Sequence, residues 1–286
     1  MDTDVTVALN VSQTPEDDEI TLDLGLEWQF LLDLPEDCGI TASRLQGLGK
    51  RSNQEDAFAV SPCTKEDWET RGVLFILCDG MGGMQDGEVA SAAGIASCLS
   101  FFSQVSRDGF YPGWMKDMAE RANSDTIHAM GDAAGSGGST LVAVHIFGRS
   151  MQWVTIGDSH LYSAKDGALR QMNEDHVFAR KLAQLVENGM ITQEEADNNR
   201  QRKALTSYLG VEDGLEIDGN EEAYALTDGE WICLMSDGIF GTLSDEEILL
   251  ALGNPPAKAA QEMDRMVAEK GKPKQDNYTG ILIRID

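Results

Sequence analysis

Apolar residues fall in short blocks along the chain, and their period changes from block to block. The run Val73-Leu74-Phe75-Ile76-Leu77-Cys78 has no polar position, the mark of a strand covered on both faces. Shorter or more alternating runs predict strands over about 41–48, 57–60, 139–147, 151–157 and 160–164, then Trp231–Met235 and Tyr278–Ile285. Helical spacing predicts helices over about 87–105, 113–131, 244–252 and 255–270. A mixed segment covers about 177–210, where Gly189 ends one helix and Thr192 caps the next. Grouped strands and two separated helix pairs predict an α+β fold with helices outside two stacked sheets, not a doubly wound parallel sheet. No apolar run approaches the roughly 18–20 residues that cross a bilayer, so no membrane span is predicted.

Charge divides the chain at about residue 40. Residues 1–40 hold eleven acids, from Asp2 to Asp37, and no Lys or Arg. They read as a separate, partly disordered acidic extension, in which Leu24, Leu26, Trp28, Phe30, Leu31 and Leu32 can dock on the body. The main domain then covers 41–286. Over the whole chain 49 acids face 22 bases, a formal charge of −27. Such a surface repels a phosphate backbone, so nucleic acid is excluded as a partner. Met1 to Leu9 lack the basic start of a secretory signal. The five cysteines, Cys38, Cys63, Cys78, Cys98 and Cys233, show no CxxC spacing. They suggest neither a zinc site nor a disulfide framework, and a reducing cytoplasm fits.

The same design occurs twice: an apolar strand running into Asp-Gly, at Asp79-Gly80 and again at Asp237-Gly238. Taken singly, each is more simply a turn. Together with Asp276, which opens the last strand, they can deliver three carboxylates to one edge of a core. Hard oxygen ligands of this kind select Mg²⁺ or Mn²⁺, and a pair of such ions suits phosphate ester hydrolysis. The segment Gly49–Ala57 adds Arg51, Glu55 and Asp56 at a strand boundary. Alone it is a solvated turn; beside the other acids, a bidentate Arg is a suitable clamp for a phosphate dianion. Gly80-Met81-Gly82-Gly83 does not satisfy GxGxxG and no Lys-Ser/Thr follows it, so a nucleotide loop is not indicated.

These residues resemble the protein phosphatase 2C family, the metal-dependent PPM-type Ser/Thr phosphatases, over about 41–286. The similarity rests on an ordered series: Arg51 with Glu55-Asp56, Asp79-Gly80-Met81-Gly82-Gly83, Gly87 to Ala90-Ser91, Gly138-Ser139-Thr140 and Gly157-Asp158-Ser159. Asp175-His176, Leu209-Gly210, Ser236-Asp237-Gly238 and Asp276-Asn277-Tyr278-Thr279 complete it. The resemblance implies a four-layer αββα sandwich, two antiparallel sheets flanked by helix pairs, with a dinuclear metal site at one end. It implies two Mn²⁺ or Mg²⁺ ions, bridged by Asp79 and held further by the Gly80 carbonyl, Asp237, Asp276 and the Glu55/Asp56 pair, with Arg51 on the substrate phosphate. The implied activity is hydrolysis of phosphoserine and phosphothreonine in proteins by a metal-activated water, with no phosphoenzyme. Phosphorylated proteins are the implied substrates.

Several positions depart from the family pattern. Met81 resembles bacterial members and offers no proton to a leaving group. His160 replaces the usual Arg after Gly-Asp-Ser, and no role is assigned to it. Gly241 stands where relatives often supply an Asp to a third cation, which argues against a third metal and leaves Asp158 to order water beside the pair. Ser244-Asp245-Glu246-Glu247 reads as a helix cap with an acidic first turn. Residues 177–210 match the family's flap beside the active site, with Asn199-Arg200 for His-Pro and Ser207 for an Arg. Residues 1–40 are expected to meet a basic partner, a cognate kinase among the candidates, or to shield the cationic site.

Overall fold

A computed structural model describes residues 30–82, 86–133 and 136–286. In its first half the chain runs β1 (Ile40–Gly47), β2 (Ala57–Val60), α1 (Lys65–Thr70), β3 (Val73–Cys78), β4 (Gly80–Met81), α2 (Asp86–Asp108), α3 (Trp114–Met130), β5 (Gly138–Ser139), β6 (Leu141–Phe147) and β7 (Ser150–Ile156). There follow β8 (His160–Lys165), β9 (Ala168–Gln171), α4 (Phe178–Glu187), α5 (Gln193–Asp197), β10 (Asp218–Gly219) and β11 (Tyr224–Ala225). The chain closes with β12 (Trp231–Met235), α6 (Asp237–Phe240), α7 (Asp245–Leu252), α8 (Pro256–Lys270) and β13 (Tyr278–Ile285).

Two antiparallel sheets form, one in the order β1-β13-β12-β8-β9 and one in the order β10-β7-β6-β3-β2 with β11 also on β7. Because side chains alternate across a strand, each sheet supplies two apolar faces. Phe75, Leu77, Val142 and Val144 of one inner face meet Ile232, Leu234, Ile281 and Ile283 of the other. The odd partners point outward: Leu74, Ile76 and Ala143 pack against Phe102, Trp114 and Met118 of α2 and α3. On the far side Cys233, Met235 and Leu282 pack against Ile248, Ala259, Ala260 and Met263 of α7 and α8. The result is helix pair, sheet, sheet, helix pair, the αββα arrangement expected, and it explains why every residue of Val73–Cys78 is buried.

Phe30 packs against the core under α7 and α8, while Leu32 and Leu34 pack between the sheets, and Leu32 N–H donates to the Ala42 carbonyl. Leu24, Leu26 and Trp28, named with them as docking candidates, lie outside the described residues, as does Gly83 of the Asp-Gly-Met-Gly-Gly motif.

Some elements differ from expectation. Residues 139–147 are not one strand: Ser139 leaves the sheet to pair with Gly80, and the Thr140 N–H turns to the Asp79 carbonyl. Asp237-Gly238 opens a short helix, not a simple turn. Helix α1 has no buried residue, which hid it from an apolar pattern, although the Thr64 and Asp67 capping box was present in the sequence. No unbroken apolar run marks α2 in the sequence, yet by length and composition its span Asp86–Arg107 is long and apolar enough to cross a bilayer, with an 18-residue window of mean hydropathy 1.3. Its hydropathy comes from Val, Ala, Ile, Cys, Leu and Phe, which Ser and Gly interrupt before they form a continuous apolar run. Here Ala90, Cys98, Phe102 and Val105 are buried, and most of these pack against the sheet and α3.

His145 of β6 is buried among Phe102, Phe110 and Trp114, with Nε2 at 2.7 Å from the Arg71 carbonyl. Burial pushes its pKa down to about 4, so the folded protein keeps a neutral ring that the unfolded chain protonates near pH 6.5. The unfolded state therefore binds more protons below about pH 6.5, and this contribution to stability is present above that pH and lost as pH falls toward 4. The full loss is about 3 kcal/mol. Denaturant titrations of His145→Gln and wild type at a series of pH values check this: the variant is expected to show the shallower fall between pH 6.5 and 4, and parallel curves would contradict it.

Candidate active site

The strand registers bring the chemistry to one end of the sandwich. Gly47 at the end of β1 faces Tyr278 at the start of β13, which places the Arg51 loop beside Asp276. Cys78 at the end of β3 faces Ala57 at the start of β2, so Asp79 follows directly beside Glu55-Asp56. Met235 at the end of β12 faces both Gly280 of β13 and His160 of β8, and Asp237 emerges between Asp276 and Asp158. Alternating strand direction thus converts six separate sequence positions into one cluster. The Arg51 loop can come this close only because Gly49 adopts φ +61° and has no Cβ, which would lie 2.2 Å from the Asp276 carbonyl oxygen.

Hydrogen bonds hold these loops. The Asp79 carbonyl accepts from Thr140 N–H at 2.8 Å and Ser139 Oγ at 3.0 Å, and Asp79 N–H donates to Thr140 Oγ1 at 3.0 Å. Ser236 Oγ donates to the Asp56 carboxylate at 2.9 Å. Asn277 ties three loops together: its Oδ1 accepts from Glu55 N–H at 2.8 Å and its Nδ2 donates to the Leu48 and Asn53 carbonyls. Glu55 and Asp56 are both buried, and the Glu55 carbonyl accepts from Gly80 N–H at 3.2 Å. Arg51 donates to Asp276 at 2.5 Å; both side chains are well exposed.

The carboxylates raise one another's pKa. Asp79 keeps some solvent exposure, yet desolvation is the largest cause holding its carboxyl well above the usual range, followed by repulsion from Asp56, Asp237, Asp158 and Asp276. Burial pushes Asp56 up to about 6 against hydrogen bonds to Thr279, Ser236 and Asp79. Burial, then Asp237 and Asp175, bring Asp158 to about 6. Asp237 is raised by burial and Asp276, with Lys203, Arg51 and His160 opposing.

Among the described residues no three His, Cys, Asp or Glu side chains form a ready metal cage, and Asp276 is turned onto Arg51 instead. The donor set nonetheless fits a hard divalent cation: oxygens only, negative charge in excess, and partners too few to neutralise it. All of Arg51, Glu55, Asp56, Asp79, Gly80, Asp158, Asp237 and Asp276 stand at this end of the sandwich.

In the sequence His160 carried no assigned role, and Lys203 was read only with Arg200 and Arg202 as a small basic cluster, a solvated loop or a seat for a phosphopeptide's acidic flank. His160 Nε2 lies 3.1 Å from Asp175, its Nδ1 2.6 Å from the Tyr162 hydroxyl, and its ring stacks on Phe240 of α6 at 3.6 Å. It therefore braces the short helix that begins with Asp237; only its place after Gly157-Asp158-Ser159 signalled this. Lys203, in the 177–210 segment, bears on Asp237 ahead of Arg51. That segment is tied to the site by a backbone ladder, from Thr206 to His176 and from His176 to Gly157. Ser207, where an Arg was expected, binds both backbone groups of Glu216 at 2.8 Å. Ser244 does form a capping box with Glu247, so Asp245 and Glu246 lie in the first turn of α7.

No family model matches the chain. It is 32% identical over 246 residues to the serine/threonine protein phosphatase PstP of Mycobacterium tuberculosis, covering 83% of this chain and 43% of that protein. The chain thus spans less than half the length of that relative. A serine/threonine phosphatase from S. agalactiae superposes with a TM-score of 0.71 at 25% identity, covering 86% of this chain and 100% of the other. The catalytic domain of PstP in complex with two manganese ions superposes at 0.63 with 29% identity, covering 86% and 99%.

Proposed function

The chain belongs to the protein phosphatase 2C family of PPM-type phosphatases, and from that premise we propose that it hydrolyses phosphoserine and phosphothreonine in proteins with the help of two divalent cations. The observation that carries this reading is the convergence of Asp79, Asp237, Asp276, Asp56 and Glu55, with Arg51, at one end of the sandwich. Asp79, the Gly80 carbonyl, Asp237, Asp276 and the Glu55/Asp56 pair would hold the ions, with Asp158 beside them. Bound there, Mn²⁺ or Mg²⁺ supplies Lewis acidity that lowers the pKa of water and offsets charge on phosphoryl oxygens.

The protein's own groups do the rest. Ser139 and Thr140 fix the Asp79 backbone, Ser236 orients Asp56, and Asn277 holds the Glu55 and Asp276 loops at a set separation. The Arg51–Asp276 pair is exposed and worth only about 0–1 kcal/mol, so it would leave Arg51 free to bind a phosphoryl group and Asp276 free to help hold a cation. Met81 gives no proton and Cys78, beside Asp79, is fully buried; with the carboxylates assigned to the cations, this reading takes water as the nucleophile, with no phosphoenzyme. In this reading the catalytic domain covers 41–286, with 177–210 as a flap beside the site and the acidic residues 1–40 before it, and the protein is soluble and acts in the cytoplasm on phosphorylated partners.

Arg51→Ala is expected to raise KM for a phosphothreonine peptide by about 10–100-fold with a smaller loss in kcat, because the lost contact is mainly to the ground-state phosphate. Arg51→Lys should recover part of the affinity; an unchanged KM in both would remove Arg51 from the substrate. The reading itself is tested by phosphate release from phosphothreonine and phosphoserine peptides with Mn²⁺, with Mg²⁺ and after chelation. Turnover that stops on chelation and returns with the cation supports it; a folded protein inert under every condition would leave a phosphoprotein-binding module.

A further inference from the structure

A groove of about 500 Å³ lies where the segment before β1 meets α1. Its apolar part is Leu34, Pro35 and Trp68, the first and last only partly buried against the core. Around them stand Asp33, Glu36, Asp37 and Glu69, all exposed, and one cation, Lys65. Among the described residues none of these four carboxylates forms an ion pair. Asp67 on the same helix, in contrast, is taken up by Arg71 and the Thr64 cap. The groove is remote from the carboxylate cluster. It adjoins the start of β1, whose other end leads to Arg51, and the eight residues of that strand span roughly 25 Å at about 3.4 Å each.

We propose that this groove docks a cationic linear segment of a partner protein, with Arg or Lys side chains meeting the four carboxylates and an apolar side chain seated on Trp68. Charge complementarity selects this occupant over the others. Residues 1–29 of the chain itself carry eight acids and no Lys or Arg, so their charge does not complement the groove. A second copy, at a formal charge of −27, is repelled, as are nucleic acid and anionic lipid. Trp68 adds an aromatic face on which an Arg guanidinium or an aliphatic side chain can lie. Docking at this distance leaves the catalytic end open, so a bound partner is held while its phosphorylated residues reach the other end. The inference does not depend on the phosphatase reading, since the groove is built from different residues.

Fluorescence anisotropy of a labelled peptide of alternating Arg and Leu, with the full-length chain at about 0.15 M salt so that long-range attraction is screened, tests this. The variant Asp33→Asn/Glu36→Gln/Asp37→Asn is compared with Glu212→Gln/Asp213→Asn/Glu221→Gln, which removes as much charge from an exposed surface elsewhere. The groove variant is expected to weaken binding at least about tenfold and the control less than about twofold, with peptide binding shifting Trp emission. Equal weakening in both variants, or none in either, would overturn the proposal. So would equal binding of an Arg-Gly peptide or full displacement by spermine at matched charge, since the groove would then bind cations without recognising a peptide. Binding needs no turnover, so failure here and failure of the phosphatase reading are distinguishable.

Discussion

Asp79→Asn is expected to lower kcat/KM for a phosphothreonine peptide by about a thousandfold or more while leaving the protein folded. Asparagine matches the shape of aspartate, and the backbone at this position is fixed from outside the side chain, by Ser139 and Thr140. What changes is one carboxylate at the centre of a cluster in which Asp56, Asp237, Asp158 and Asp276 already repel it. Removing that charge relieves repulsion in the cation-free protein, so the variant should melt at or above the wild-type temperature in chelator. It should also lose most of the rise in melting temperature that Mn²⁺ gives the wild type, because binding to the folded state is what stabilises it. Thermal melts with and without Mn²⁺, beside peptide kinetics, read both effects. Near-wild-type turnover would take Asp79 out of the site.

Gly238→Ala is expected to cost about 3 kcal/mol of unfolding free energy and most of the activity. A Cβ at this position would lie 2.0 Å from the Asn277 carbonyl oxygen and 2.8 Å from Tyr278 Cβ. Neither neighbour is the far end of a flexible chain, so α6 and the start of β13 must separate. Those two elements carry Asp237 and Asp276, and Gln275 bridges them through the Gly238 carbonyl at 2.9 Å. A single methyl group therefore strains the core and moves two carboxylates apart together. Urea titration and peptide kinetics on the same preparation check this; a variant with unchanged stability and activity would show that the close approach is not rigid.

The sequence made the strands legible because burial on both sheet faces leaves a strong local signal, as in Val73–Cys78 and Tyr278–Ile285. It made the carboxylates legible through the order of short motifs, each weak by itself. What stayed hidden depends on contacts distant in sequence. The Gly80–Ser139 ladder is only two residues long on each side and has no periodic pattern to detect. Helix α6 was masked because Asp-Gly also begins turns. His160 looked like an isolated ring, and its link between Asp175 and Phe240 exists only once β8 and α6 are assembled. The groove beside Trp68 joins residues about 30 positions apart in the chain, and its acids were indistinguishable in sequence from the general acidic excess.

The most direct measurement is calorimetric titration of Mn²⁺ into the chelator-stripped chain, beside Asp79→Asn and Asp237→Asn. The account predicts saturable binding of two ions per wild-type chain, with at least one of them lost in each variant. Absence of saturable binding to a folded wild-type chain, or the same stoichiometry in all three proteins, would contradict the claim that these strand-end carboxylates form a cation site.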